Sequence, residues 1–201
     1  MATPGQLVQV TADVLGLSKA TVVQYDRVLS EHGLRSKRGR GTSAAKVTSR
    51  DVANLLTAIG ASSALGLSAK DAVEICKKFS ALTSVGPAGA RSEVSKVGLE
   101  GLASLPDGHS FREALSALIE CAGQREFAGM DDAAVWVQFS GPVPSAQIVV
   151  GSTLFGNYRD ARKYKRTSRS DRAERGLVHT SSVSTPTIRA LGALVSGDGT
   201  T

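Results

Sequence analysis

From Thr3 to Gly33, apolar side chains recur at helical spacing, and the run is cut once, at Gly16-Leu17-Ser18. That cut constrains the chain more than any other feature, because two helices joined so tightly have to turn back on each other. The first helix carries its own start signal. Thr3 is placed to cap it, Pro4 suits the first helical position, and Gln6 stands where a capping box needs it. Leu7, Val8, Val10, Thr11, Val14 and Leu15 follow at roughly helical spacing. Gly16 supplies the left-handed residue that ends the helix, and Ser18 caps the next. The second helix runs from Lys19 through Leu29 towards His32 and stops at Gly33. Ala12 lets the two helices cross closely, and Leu15, Leu17, Val22 and Tyr25 are expected to form their shared core.

The stretch Ala12-Asp13-Val14-Leu15-Gly16-Leu17-Ser18-Lys19-Ala20-Thr21-Val22-Val23-Gln24-Tyr25 resembles a helix-turn-helix unit, with an ordinary helical hairpin as the alternative. A basic, glycine-containing connection follows, Leu34-Arg35-Ser36-Lys37-Arg38-Gly39-Arg40-Gly41-Thr42-Ser43. Lys46-Val47-Thr48-Ser49-Arg50-Asp51-Val52 then opens a capped third helix. This order resembles winged helix-turn-helix domains of the MerR-like kind, in which a wing precedes a helix opening Thr/Ser-x-x-Asp-Val/Leu. The resemblance covers residues 1–60, and the long dimerising coiled coil of that family does not follow.

The resemblance implies duplex DNA as partner, with the second helix entering the major groove. Ser18, Lys19, Ala20, Val23, Gln24 and Arg27 would face outward from it. Gln24 can pair with an adenine edge, Arg27 can reach guanine or phosphate, and Ala20 or Val23 can touch thymine methyls. Arg35, Lys37, Arg38 and Arg40 would form a wing suited to phosphate or a narrow minor groove, with Lys46 beside it. Tyr25 belongs to the core rather than the contact.

Charge is segregated along the chain. Residues 1–60 carry a balance of +4, residues 61–157 a balance of −3 and residues 158–201 a balance of +5. Two basic ends therefore flank an acidic middle, a pattern that favours two phosphate-facing surfaces joined by a module that is not one. The expected organisation is α+β and mainly helical. A winged helix-turn-helix (1–60) leads into a helical module with a β-hairpin (61–157) and a basic, mobile arm with a short terminal helix (158–201).

Within the middle, residues 61–68 read as a hinge, and Ala72, Val73, Ile75, Cys76 and Phe79 mark one helix face. Ser110 caps another helix, whose stripe of Phe111, Ala114, Leu115, Leu118, Ile119 and Ala122 either seals the core or pairs with a twin. His109 suits an orienting hydrogen bond. From 133 to 151 the period changes to alternation, giving a hairpin with a five-residue connection that must lie on the helices or pair with another chain. In the arm, Arg159, Arg162, Lys163, Lys165, Arg166 and Arg169 suit non-specific phosphate binding.

No phosphate-cradling loop, nucleophile elbow or zinc-protease motif is present, and no cluster has metal-ligand spacing. The expectation is a non-enzymatic protein without cofactor or metal. The two cysteines cannot build a disulfide framework. Neither a leader nor an apolar membrane span is evident, so a cytoplasmic, nucleoid-associated location is expected. The reading that follows is a sequence-specific DNA-binding transcriptional regulator of bacterial or bacteriophage type, acting as a homodimer or higher homo-oligomer. Two alternatives stand beside it: a small-terminase-like subunit recognising DNA for genome packaging, and a regulator whose residues 61–157 bind a protein such as RNA polymerase.

Overall fold

Each of the first three helices starts on a side chain that accepts a backbone N–H. Thr3 caps α1 (Pro4–Leu15), Ser18 caps α2 (Lys19–Glu31) and Thr48 caps α3 (Ser49–Leu65), with capping boxes at the first and third. Gly16 and Gly66, at φ +64° and +65°, end α1 and α3 in the left-handed conformation that glycine adopts without strain. The computed structural model describes residues 2–36, 46–84, 94–95, 98–124, 127, 131, 134–160 and 178–197.

Of the hinge or loop expected at 61–68, residues 61–65 instead complete α3, and 66–68 alone make the connection. Small side chains that look like a loop when read locally are buried there, Ala61, Ser62 and Ala64 among them. They let neighbouring elements lie close on a helix buried on nearly all sides, which marks it as the central core element. It packs against α2, against both layers around it, and so runs through the boundary expected at residue 60. A 3-10 turn (Ala69–Asp71) leads into α4 (Ala72–Ser80), whose Ala72, Ile75, Cys76 and Phe79 are buried while Val73 is half-buried.

The remaining described elements are β1 (Thr83–Ser84), α5 (Glu100–Ala103), α6 (Phe111–Ala122), β2 (Val135–Gly141), β3 (Ser145–Val150), β4 (Thr153–Arg159), β5 (His179–Ser184) and α7 (Thr185–Ser196). The fold is α+β. Its antiparallel sheet has the order β1-β4-β3-β2-β5. Inward residues alternate with outward ones along the strands: Val135, Val137 and Phe139 on β2, and Ala146, Ile148 and Val150 on β3, are buried against the helices. The stripe on α6 is entirely buried and closes the protein's own core.

Two further expectations are corrected. The β2–β3 connection is three residues, 142–144, because Ser145 pairs with Ser140 and Gly141 is held in β2 by its pairing with His179 of β5. The hairpin lies on the helices, as expected, with β2 against α3, and it has strand neighbours as well: β4 flanks β3 and β5 flanks β2. The arm expected over 158–201 is, where described, ordered structure. Tyr158 is buried and Arg159 ends β4. β5 is a Ser/Thr-rich edge strand that looks solvated locally but pairs along its whole length with β2, from Trp136↔Ser184 to Gly141↔His179. Thr185 then ties that edge down, donating to Val135 O at 2.9 Å and accepting from Val135 N at 2.8 Å. The short terminal helix expected at the end of the chain is α7, and its apolar partners are α1 and α6. One continuous buried cluster therefore joins residues from Ala2 to Leu191.

His109 makes the orienting bonds expected of it. Its Nδ1 lies 2.8 Å from Pro106 O and its Nε2 lies 2.9 Å from the Tyr158 hydroxyl, with Phe155 stacked alongside. Burial pushes the Tyr158 phenol above its ordinary range, so it stays protonated. Tyr158→Phe would leave a buried ring nitrogen without a partner, a loss of about 1–3 kcal/mol. Urea unfolding should show it as a lowered midpoint at unchanged slope, and an unchanged midpoint would show that the bond contributes nothing.

Candidate nucleic-acid interface

The α1–α2 corner is built by local chemistry. Leu17 N–H reaches Ala12 O at 3.0 Å across Gly16, and Ser18 Oγ accepts from Thr21 N at 3.1 Å and meets Thr21 Oγ1 at 2.8 Å. On α2, Val22, Tyr25 and Leu29 are buried, which turns the opposite stripe to solvent. Ser18, Lys19, Ala20, Val23, Gln24 and Arg27 are all exposed. Of the expected corner core, Val22 and Tyr25 are buried and Leu15 is half-buried, but Leu17 is 36% exposed.

Arg27 is held by Glu31, with Nε 2.8 Å from Oε1 and both side chains well exposed. Such an exposed pair is screened by solvent and opens easily, so Arg27 remains able to exchange its partner for an anion. Arg35 is different, and its expected place among wing cations is corrected. Its side chain is only 13% exposed, its Nε sits 2.7 Å from Asp26 Oδ1, and it also donates to Ser30 Oγ at 3.1 Å. The guanidinium therefore clasps the chain leaving α2 to the body of that helix. Burial pushes the Asp26 carboxyl above its ordinary value; Arg35 opposes this and nearby Asp51 adds to it.

Lys37, Arg38 and Arg40 lie outside the described residues, as do Arg162, Lys163, Lys165, Arg166 and Arg169. Lys46 is exposed immediately before α3. Arg159 is not brought to this face. It lines a cavity by α4 and the β2–β3 turn, and its Nε donates to Asn157 at 3.0 Å.

Sequence reading missed the group that frames the basic connection. Asp51 is buried on the first turn of α3. Its Oδ1 accepts Ser36 N–H at 2.7 Å, while Oδ2 accepts Thr48 N–H and Thr48 Oγ, each at 2.9 Å. One carboxylate thus grips both ends of the 37–47 segment. Two turns of neighbouring chain are pinned with it: Asn54 Nδ2 donates to Leu34 O at 2.6 Å, and Val47 N–H to Ala2 O at 3.1 Å. The Thr48-x-x-Asp51 spacing signals a helix start, but the second, longer-range bond has no sequence signal.

Other chemistry is sparse around this face. Both cysteines are buried, and burial pushes their thiols up, away from the thiolate form. Among the described residues, no helix is long and apolar enough to cross a membrane. No protein-family model, curated protein or solved structure matches the chain.

Proposed function

We propose that this chain is a sequence-specific double-stranded DNA-binding protein of the winged helix-turn-helix kind, acting as a bacterial or bacteriophage transcriptional regulator. The observation that carries the reading is the exposed stripe of Lys19, Ala20, Val23, Gln24 and Arg27 on a helix whose other side is locked into the core behind a capped corner. A rigid helix with an amide and two cations on its free face matches what reading base edges in the major groove requires. The basic segment 37–46, clamped at its ends by Asp51, would grip the flanking backbone. Two copies would supply affinity that one short helix lacks and would set the half-site spacing.

The division of labour is testable on selected and random duplexes over a salt series. Gln24→Ala should relax preference at one base pair, losing about 1–3 kcal/mol there, while leaving the salt dependence unchanged. Changing Arg38 and Arg40 together to alanine should weaken binding to every sequence and flatten the log–log salt slope by about one unit per lost phosphate contact. If both variants behave alike on specific and random duplexes, the assignment of roles fails. If the unaltered chain prefers no duplex over a random one, the function itself fails.

A further inference from the structure

A second feature lies away from the α2 stripe. A concavity of about 630 Å³ opens between the end of α3, α4 and the β2–β3 turn. Its apolar wall is Leu65, Leu67, Ile75, Leu82, Pro142 and Val143. The volume falls in the range of small-molecule sites, and so does an apolar wall with a few polar groups at the edge. Two of the most exposed large aliphatic side chains of the described residues sit here, Leu67 at 46% and Val143 at 51%. Exposing both at one concave place costs solvation free energy that an occupant would recover.

The rim shows what kind of occupant fits. Its charged groups are Asp71, Glu74, Lys78, Arg159 and Asp160. Glu74 and Lys78 are paired at 2.6 Å. Asp71 is engaged in its capping box, accepting from Ser68 N at 3.2 Å and Ser68 Oγ at 3.0 Å. Arg159 donates to Asn157, and Asp160 also has a partner within the chain. Each of these charges has a partner within the chain, so an uncharged occupant leaves every pairing in place. The occupant that matches is uncharged, mainly apolar and small, with Ser145 the one hydroxyl-bearing residue of the lining.

The walls also connect to α2. Asp71, Glu74, Ile75 and Lys78 belong to the 3-10 turn and α4, and both of those elements pack against α2 on another side. An occupant that spreads or tightens α4 against the β2–β3 turn therefore acts on the support of the exposed helix.

We propose that this cavity binds a small, uncharged, apolar molecule and that its occupancy is transmitted through α4 to α2. That the transmission regulates DNA binding rests on the reading of α2 given above; the binding and the transmission do not. Nile red, an uncharged apolar dye that brightens in apolar surroundings, serves as the probe on the full chain. Saturable brightening at one dye per chain is expected. Leu67→Glu and Val143→Glu each put a carboxylate into the wall from an exposed position, and should weaken the dye by at least about tenfold. Val178→Glu, exposed and outside the cavity, should leave it unchanged. Absence of saturable binding, or equal weakening by all three variants, overturns the site. Hydrogen exchange with and without dye tests the transmission: the amides of α2 should slow along with those of α4. Slowing confined to α4 overturns the coupling whether or not any duplex binds.

Discussion

Gly192→Val is expected to lower global stability by about 3 kcal/mol and to remove duplex binding, although residue 192 belongs to α7. A Cβ at this position would stand 2.5 Å from Ala122 C, 2.6 Å from Ala122 Cβ and 2.7 Å from Gly123 N. Two of those atoms are backbone, so no side-chain rotation relieves the clash and α7 must lift from α6. The same helix packs on α1, and α1 supports α2. Lifting it therefore loosens the corner that aims Lys19 and Gln24. Against a stability of about 5–15 kcal/mol for an ordinary domain, the loss is a large share. Gly5→Ala in α1 is the control, because a Cβ there meets nothing within 4 Å and helix propensity favours alanine by about 1 kcal/mol. Urea unfolding followed by tyrosine and tryptophan signals should shift together in a single transition. If Gly192→Val leaves the midpoint in place, or if a separate early transition carries α1 and α2, the continuity of the core from α1 to α7 is not energetic.

That dependence on α7 shows where sequence reading stops. The capped starts at Thr3, Ser18, Thr48 and Ser110 were legible because each signal lies within four residues. The burial stripe on α6 was legible for the same local reason. β5 was not: Ser181 and Ser182 resemble tail residues, and only their pairing with Phe139 and Gln138 makes them a strand. The last turns of α3 failed in the opposite direction. Ser62 and Ala64 look like a hinge because nothing local records that other elements will bury them. At the candidate interface, helical period alone turned Gln24 and Arg27 outward. Arg35 could not be separated from its basic neighbours, because the burial that pairs it with Asp26 depends on how the chain leaves α2.

Asp51→Ala should cost about 2–3 kcal/mol, because the Ser36 and Thr48 N–H groups lose their common acceptor, while the Thr48 side chain still caps α3. Ser36 and Thr48 are exposed, so water can take over part of that bonding, which keeps the expected cost below that of fully buried orphans. The larger consequence is geometric. The basic side chains of the segment would keep their charge, but Ser36 and Thr48 at its two ends would no longer be tied to one carboxylate. Duplex affinity should then fall further than the unfolded fraction explains, while the salt slope, set by how many phosphates are neutralised, changes little. Asp51→Asn separates the two effects. It retains an acceptor oxygen for one end of the segment and should give an intermediate affinity at nearly normal stability. Equilibrium unfolding and duplex titration on the same preparations would decide it. If affinity falls only in proportion to the folded fraction, Asp51 serves the helix start alone and has no part in framing the basic segment for DNA.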